Sequence, residues 1–503
     1  MTIKIAMIGA GSIGFTRRLM HDIVAVPELA DATFAFTDIS SRNLDMVTQL
    51  CERDLEANKL PAEIIATTDR RRAIAESDYV ICMIRQGGLE AFQTDIDIPL
   101  TYGVDQCVGD TMLDFCQDIR EVAKPGALLL SYSNPMAMNT WACNKYGQVK
   151  TVGLCHGVQG AHWQITSCIE HWARREGLIE PDEKLHRREV DIVAVGINHQ
   201  TWFIKVQWRG MDMLPRMLEL FEDHPGYPQT EKVRIDVLRR FGYYSTESNG
   251  HLSEYLPWYR KRAEEIAQWI DLSSWINGET GGYLRVCTEG RNWFETDFPN
   301  WLKQEPPVIA LEKRSEEHGS YIIEALETGR VYRGHFNVIN QGHITNLPDG
   351  CVVEIPGYVD RNGMNMPVVG DLPLACAATC ATSVRVQEMG MEAAVHGDVV
   401  LLKQAMLHDP LVGAVCNPEE VWQMTDEMLV AQGKWLPQYS EELPRAQRRL
   451  EEAVRNGTRV KLRETQGAAR SHTKSVEEMA RNKDEARANA AAADKGLKCA
   501  RAF

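Results

Sequence analysis

The stretch IKIAMIGAGSIG, Ile3 to Gly14, decides the fold of this chain. Its first half is mostly apolar, as in a buried β-strand, and its second half has the glycine spacing G-x-G-x-x-G. The residues that follow, FTRRLMHDIVAV, have the apolar spacing of a helix. A strand, a glycine-rich turn and a helix in this order are typical of the phosphate-binding start of a dinucleotide-binding βαβ unit.

The residues of this turn suit a dinucleotide for physical reasons. Glycines at positions 9, 11 and 14 permit a tight turn, close approach of the backbone to a pyrophosphate, and close packing of helix on strand. The start of the helix offers free N–H groups and a positive dipole. A second predicted strand, TFAFTD, ends in Asp38, whose carboxylate can accept from ribose hydroxyls and so favours NAD over NADP. We predict that NAD contacts Gly9, Gly11, Ser12, Gly14 and Asp38.

The first two hundred residues predict a Rossmann-like α/β fold. Apolar, β-branched runs alternate with helical patterns, which is typical of a doubly wound parallel sheet covered by helices on both faces. The runs are IKIAMIG (3–9), TFAFTDI (33–39), EIIATT (63–68), YVICMI (79–84), ALLLSYS (127–133), TVGL (151–154) and VDIVAVGI (190–197).

The rest of the chain has a different pattern of residue types. We predict an NAD-binding domain over residues 1–200. A mainly helical α+β domain for substrate and oligomer contacts is expected over 201–440, with a small β region at CVVEIPGYVDRNG. Residues 441–503 are charged and alanine-rich, with few large apolar side chains. They are expected to be an extension of exposed helices or a solvated tail, with partner binding as the alternative.

Net charge, the lengths of apolar runs and the cysteines indicate which partners and which compartment to expect. The 503 residues carry a formal net charge of −15. Nucleic acids and anionic lipids attract basic surfaces, so we expect neither a nucleic acid nor a membrane as a partner. No apolar run reaches the roughly 18 residues of a transmembrane helix. The apolar start breaks at Gly9 without a cleavage site, so no signal peptide is expected. The 13 scattered cysteines contain no C-x-x-C pair and predict reduced thiols in the cytoplasm.

Three predicted strands are followed by polar side chains. Asn134 follows ALLLSYS, Cys155 and His156 follow TVGL, and Asn198 and His199 follow VDIVAVGI. Ligands of open α/β sheets bind beyond the carboxyl ends of the strands. If the strands are neighbours, a thiolate and an imidazole from positions 155 and 199 can share a metal ion and leave coordination positions open for substrate. The alternative is a structural thiol and an unrelated histidine.

These motifs resemble glycoside hydrolase family 4. The similarity runs from about Ile3 to about Trp435, and within the family it is greatest to the melibiose-type α-galactosidase branch. It is carried by GAGSIGF, YVICMIRQGG, YSNPMAMNTWA, VGLCHGVQG, VGINHQTWF, GHLSEYLPWY and NQGHITNLPDGCVVEIPGYVDRNG.

The resemblance implies a glycosidase that works by oxidation, elimination, addition and reduction. NAD takes a hydride from C3 of the sugar, a base removes the acidified C2 proton, and the aglycone leaves from C1 with help from a general acid. Water then adds and the hydride returns, so that NAD is regenerated. A divalent metal, usually manganese, acts as a Lewis acid on the C2 and C3 oxygens.

The resemblance also implies roles for single residues. Cys155 and His199 would be the metal ligands, and His156 would be the general acid, a task that suits an imidazole. Asn134 would bind a sugar hydroxyl, and Asn198 is a further substrate-binding candidate. The C2 base is expected within 248–259, SNGHLSEYLPWY, where Tyr255 and His251 are the candidates and Tyr255 has the more suitable chemistry. The alternative for Tyr255 is packing against Trp258.

The chain departs from the family pattern after Gly109-Asp110-Thr111. Family members carry a glycine-rich, arginine-bearing stretch there, whereas this chain continues directly with MLDFCQDIREV. Three alternatives therefore stay open beside an α-galactosidase: an α-galacturonidase or α-glucosidase of the same family, a non-catalytic NAD-binding homologue, and a simple NAD-dependent dehydrogenase. A homodimer or homotetramer acting on a small carbohydrate is expected.

Overall fold

The computed structural model describes residues 2–106, 114–463 and 470–483. Within them, twelve strands form one mixed sheet in the order β3-β2-β1-β4-β5-β6-β10-β11-β7-β8-β9, with β12 paired to β11. The strands are β1 (Lys4–Ile8), β2 (Thr33–Thr37), β3 (Glu63–Ala66), β4 (Tyr79–Cys82), β5 (Leu128–Ser131), β6 (Thr151–Gly153), β7 (Val190–Ile197), β8 (Gln200–Trp208), β9 (Met211–Asp212), β10 (Tyr332–Ile339), β11 (Val352–Asp360) and β12 (Gly363–Asn365).

The first six strands confirm the predicted Rossmann-like sheet. They are all parallel and lie in the order 3-2-1-4-5-6, which is the order of dinucleotide-binding sheets. Alternate residues of β1 face opposite layers: Ile5 and Met7 pack in one hydrophobic core, and Ala6 and Ile8 pack in another. Both faces are therefore buried, as the near-continuous apolar runs predict.

The seventh predicted strand forms but does not join the parallel half. The hairpin of β10 and β11 inserts between β6 and β7, and β7 pairs antiparallel with β11 and with β8. The expectation that β7 extends the parallel sheet is therefore wrong. The reason is non-local, because the inserted hairpin comes from more than a hundred residues later in the chain.

Helices cover the sheet and build most of the second half of the chain. They are α1 (Ile13–Val24), α2 (Ser41–Ala57), α3 (Arg70–Ile74), α4 (Gly88–Thr101), α5 (Asp114–Val122), α6 (Met136–Lys145), α7 (Gly157–Arg175), α8 (Met217–Asp223), α9 (Tyr227–Thr230), α10 (Lys232–Phe241), α11 (Asn249–Tyr255), α12 (Ala263–Trp269), α13 (Gly282–Lys303), α14 (His318–Thr328), α15 (Leu374–His396), α16 (Val399–His408), α17 (Pro410–Val415), α18 (Pro418–Gln432) and α19 (Leu443–Asn456). No helix within the described parts of the chain combines the length and apolar character that crossing a membrane requires.

The second half has the predicted character, with many helices and β structure at 352–365. The charged C-terminal residues form α19 and a further helical segment at 476–483. The residues before that segment are attached to the rest of the protein by two hydrogen bonds. The backbone N–H groups of Ser471 and Lys474 donate to Glu279 and Glu289, respectively. The domain boundaries at residues 200 and 440 stay a prediction.

Candidate active site and metal centre

The glycine turn between β1 and α1 has the form of a cradle. Gly9 has a φ of +87°, and a Cβ on it would lie 2.6 Å from Ile84 Cγ2. A Cβ on Gly11 would lie 2.7 Å from Asp38 Oδ2, and this oxygen accepts from the Gly11 N–H at 2.8 Å. Side chains are therefore excluded at positions 9 and 11, and Asp38 is fixed at the end of β2.

The start of α1 is open on its outer side. Ser12 is the residue before the helix, and the first turn of α1 holds no acidic residue. No described atom lies within 4 Å of a Cβ built on Gly14, so a packing role for a glycine is not seen at this position. Free N–H groups at an open helix start suit a phosphate.

The Cys-His motif stands between β6 and α7. Cys155 is half-buried, and His156 precedes the first residue of α7, Gly157. The His156 ring stacks on Tyr132 with ring centroids 6.0 Å apart, and it lies 6.1 Å from the ring of Phe15 in the first turn of α1. This contact joins the glycine turn and the Cys-His motif into one site.

His199 reaches the site from a tight turn. Residues 198 and 199 connect β7 to β8, and His199 has a φ of 65°. A non-glycine residue in this left-handed region costs about 1–2 kcal/mol, and such strain is concentrated at functional sites. Although β10 and β11 separate β6 from β7, the side chains of Cys155 and His199 converge.

A third group, which the sequence analysis did not identify, completes a metal-ligand set. One ligand atom each from Cys155, His199 and Glu247 lies within 4.8 Å of the other two. Nε2 of His199 is 3.3 Å from Oε2 of Glu247. A Cβ on Gly157 would lie 3.1 Å from the same oxygen, so the glycine of the Cys-His-Gly motif makes room for Glu247. A thiolate, an imidazole and a carboxylate fit a divalent transition metal such as Mn²⁺ or Zn²⁺.

Glu247 is brought to the site by a segment that runs along β8. Ser245 forms an isolated antiparallel bridge with Trp202, and Thr246 N–H donates to the Thr201 carbonyl at 2.8 Å. Ser248 N–H then donates to Oε1 of Glu247 at 2.9 Å. The backbone before Glu247 is therefore held against β8, and the carboxylate itself is held by the N–H of Ser248.

The electrostatics of the cluster suit a cation. Burial lowers the pKa of His199 to about 4, so its imidazole is neutral at neutral pH. Burial raises the pKa of Glu247, but the neighbouring His199 and His251 outweigh burial and hold this pKa well below its usual value. Burial, Glu247 and Glu354 raise the pKa of the Cys155 thiol. A metal ion reverses this last effect, since a coordinating thiol is deprotonated.

The two candidates for the base differ in their surroundings. Nδ1 of His251 lies 3.0 Å from Oε1 of Glu247, and its ring stacks on His199 with centroids 4.9 Å apart. Burial lowers the pKa of His251, but Glu247 outweighs burial and raises it to about 9. Tyr255 Oη lies 2.9 Å from Nδ1 of His199. The Trp258 ring packs at a tilt against Phe241, with centroids 6.0 Å apart, whereas Tyr255 contacts a member of the metal-ligand set.

A cavity of about 260 Å³ opens beside the cluster. Asn134, Asn198, His199 and Tyr255 all line it, so the structure brings four of the predicted site residues together. The Nδ2 of Asn198 is buried, and the Asn198 side chain lies next to the Cys155 thiol, where its hydrogen bond opposes the rise in that thiol's pKa. The remaining wall comes mainly from α6, α15, α16 and α18 and is largely apolar.

His156 is not among the described residues that line this cavity, and it contacts a second carboxylate that no sequence motif indicates. Nε2 of His156 is 2.7 Å from Oε2 of Glu317. Neither Glu247 nor Glu317 lies in a motif with a distinctive spacing, so nothing in the sequence singles them out. The departure after Gly109-Asp110-Thr111 lies outside the described residues.

Comparison with known proteins agrees with this architecture. The model of the family 4 glycosyl hydrolases matches residues 4–170, and the model of their C-terminal domain matches residues 194–412. An α-galactosidase from Rhizobium meliloti is 55% identical over 97% of this chain and 99% of its own length. The chain belongs to glycoside hydrolase family 4.

Other members of family 4 are more distant. An α-galactosidase from Bacillus subtilis is 31% identical, with 87% of this chain and 99% of the relative covered. A 6-phospho-α-glucosidase from gut microorganisms, solved in complex with NAD and glucose-6-phosphate, has a TM-score of 0.70 at 19% identity over 87% of this chain and 99% of its own. The fold of the family 4 enzymes is therefore shared along nearly the whole chain.

Proposed function

We propose that this family 4 protein is an α-galactosidase that uses NAD and a divalent metal, with Mn²⁺ as the preferred ion. The observation that carries the proposal is the convergence of Cys155, His199 and Glu247, next to His156, whose ring lies 6.1 Å from that of Phe15 at the start of α1. A non-catalytic homologue has no need to keep such a ligand set. The 55% identity to an α-galactosidase over almost the whole chain supports the sugar.

The cofactor sites follow from the chain's own groups. Cys155, His199 and Glu247 would hold the metal, and the cradle of Gly9, Gly11, Ser12 and Gly14 with Asp38 would hold NAD. When bound, the metal supplies Lewis acidity at two sugar oxygens, and NAD accepts and returns a hydride. The neutral His199 and the ionised Glu247 are already in the protonation states that a metal requires.

We assign removal of the C2 proton to Tyr255. Its Oη lies beside Nδ1 of His199, which places it next to the metal-ligand set and on the wall of the cavity. His251 makes a close contact with Glu247, so we assign it to orienting that carboxylate. The amides of Asn134 and Asn198 would bind sugar hydroxyls in the cavity.

His156 would donate the proton to the departing oxygen. Its ring contacts those of Phe15 and Tyr132 and is not among the described residues that line the cavity with Tyr255. Removal of the C2 proton and protonation of the aglycone are thereby assigned to two residues next to different metal ligands, Tyr255 beside His199 and His156 beside Cys155. This separation suits a reaction in which the two bonds lie on neighbouring carbons.

The charge of the cavity favours a neutral sugar. Three carboxyl groups, of Asp95, Glu254 and Asp409, line it, and none of the lining residues that the structure describes is a lysine or an arginine. Burial raises the pKa of Glu254 and of Asp409. A galacturonide or a sugar phosphate would bring a further negative charge without a cationic partner here. An α-galacturonidase is therefore disfavoured, and the relative's activity favours galactosides over α-glucosides.

We further propose that the protein works in the cytoplasm as a homodimer or homotetramer. Its scattered cysteines suit a reducing compartment. Light scattering on a gel-filtration column measures the mass of the particle, and a monomer at all concentrations would contradict the oligomer.

Hydrolysis of p-nitrophenyl α-galactoside in D₂O tests the proposed function. With NAD, Mn²⁺ and a thiol reductant present, we expect nitrophenol release and galactose that carries deuterium at C2, because the C2 proton leaves and is replaced from solvent. The position of the label is measured by NMR. Absence of hydrolysis on α-galactosides, or hydrolysis without any C2 label, contradicts the proposal.

A further inference from the structure

The carboxylate of Glu317 occupies an unusual position for a charged group. Its side chain is only 3% exposed, and burying a charge is costly unless it is paired. Glu317 precedes the first residue of α14, in a segment whose Ser315 N–H donates to Asp22 at 2.8 Å. The chain thus inserts this carboxylate between α1 and the start of α7.

Two side chains contact this carboxylate. Oε2 of Glu317 is 2.7 Å from Nε2 of His156, and Oε1 accepts from Arg18 Nη1 at 3.2 Å. His156 is half exposed, whereas the carboxylate that holds it is buried. Among the described residues, none donates to or accepts from Nδ1 of His156. Nε2 of the imidazole is therefore held by Glu317, and Nδ1 points away from Glu317.

The surrounding rings leave His156 little freedom. Tyr132 stacks on it with an interplanar angle of 21°. Tyr132 Oη accepts from the N–H of Gly319 at 2.9 Å, two residues after Glu317. The ring and the carboxylate that orient His156 are thus tied to the same end of α14.

We infer that Glu317 is the positioning residue for the proton donor His156. By accepting from Nε2–H it fixes the ring so that Nδ1 presents the proton to the departing glycosidic oxygen. The electron pair left at C2 after removal of its proton forms the C1=C2 bond, the C1–O bond breaks with its pair going to the departing oxygen, and that oxygen takes the proton from Nδ1 of His156. A buried carboxylate behind an imidazole has this orienting role in other catalytic sites. The inference rests on the proposed function.

The adjacent Glu316 offers a matched control. Its carboxylate lies 2.6 Å from Arg187 Nη2 and accepts from Trp163 Nε1 at 3.1 Å, and it is 40% exposed. It lies on the same segment and contacts α7, but it has no contact with His156. Glu316→Gln therefore changes the same charge by the same chemical step without touching the proton donor.

The test compares leaving groups that differ in their need for a proton. Nitrophenolate departs without protonation, whereas methoxide does not. We expect Glu317→Gln to lower kcat/KM for methyl α-galactoside about 100-fold, in the range of general acid catalysis, and to change that for p-nitrophenyl α-galactoside by less than about threefold. His156→Gln should show the same selectivity, and Glu316→Gln should match the wild type on both substrates.

A double variant separates orientation from folding. Adding Glu317→Gln to His156→Gln should cause no further loss, because the two residues act as one unit. NAD affinity and the circular dichroism spectrum report on the fold of each variant. An equal loss on both glycosides in Glu317→Gln, or additive losses in the double variant, overturns the inference. If the wild type hydrolyses neither glycoside with NAD and Mn²⁺, the proposed function itself fails, and this inference fails with it.

Discussion

The glycine turn allows stability and cofactor binding to be tested separately. Gly9→Ala places a methyl group 2.6 Å from Ile84 Cγ2 and 2.8 Å from the Met83 carbonyl oxygen, at a φ of +87°. The left-handed backbone costs about 1–2 kcal/mol, and overpacking costs about 1–3 kcal/mol. We therefore expect the free energy of unfolding to fall by about 2–5 kcal/mol, measured by urea denaturation without NAD.

Gly14→Ala has the opposite expected effect on stability. Its methyl group meets no described atom within 4 Å, and alanine in a helix is about 0.5–1 kcal/mol more stable than glycine. If the open space holds the pyrophosphate, the same methyl lowers NAD affinity by about 5- to 150-fold. Isothermal titration with NAD measures this loss. A Gly14→Ala variant that binds NAD as tightly as the wild type refutes the reasoning, as does a Gly9→Ala variant of unchanged stability.

Three other predictions address the metal, the base and the pH dependence of stability. Glu247→Gln should weaken Mn²⁺ binding at least about tenfold, since loss of a direct ligand costs more than the 10- to 100-fold of a change to a residue behind the ligands; electron paramagnetic resonance of free Mn²⁺ measures the affinity, and an unchanged affinity contradicts the assignment. Tyr255→Phe should lower kcat by about 10²–10⁴-fold while Mn²⁺ affinity stays within a few-fold; full activity with C2 labelling in D₂O excludes Tyr255 as the base. Burial raises the pKa of Asp54, but His21, Arg17 and Arg53 outweigh burial and lower it to about 2, so this carboxylate stabilises the fold above its unfolded pKa near 4. Asp54→Asn should therefore cost about 2 kcal/mol at pH 7, a difference that shrinks as the pH falls from 4 towards 2; a difference independent of pH contradicts this account.

Local patterns explain why the sheet could be predicted. Each of the seven apolar runs forms a strand, and six of them pair in the predicted parallel manner. A run of alternating or continuous apolar residues indicates a strand from the local sequence alone. The pairing of β7 could not be predicted, because the sequence does not reveal that the β10–β11 hairpin inserts beside β6. The strand β8 is not among the predicted strands, and the predicted domain boundary after residue 200 falls within the β7–β8 hairpin.

The site was predictable where its residues follow strands. Cys155 and His199 were expected to meet if β6 and β7 were neighbours, and they converge although two strands separate them. Glu247 and Glu317 were not predicted, because loops bring them from distant parts of the chain. A glutamate in a loop has no periodic pattern that distinguishes it from a surface residue, and only the folded structure reveals that both carboxylates are buried.

Cofactor dependence of hydrolysis tests the central claim most directly. The protein is freed of NAD and metal, and p-nitrophenyl α-galactoside is added with NAD alone, with Mn²⁺ alone and with both, while nitrophenol and NADH are followed by absorbance. The proposed function predicts turnover only with both cofactors and no net accumulation of NADH, because the hydride returns to the sugar. Turnover without NAD, or one NADH formed for each substrate consumed, would contradict it.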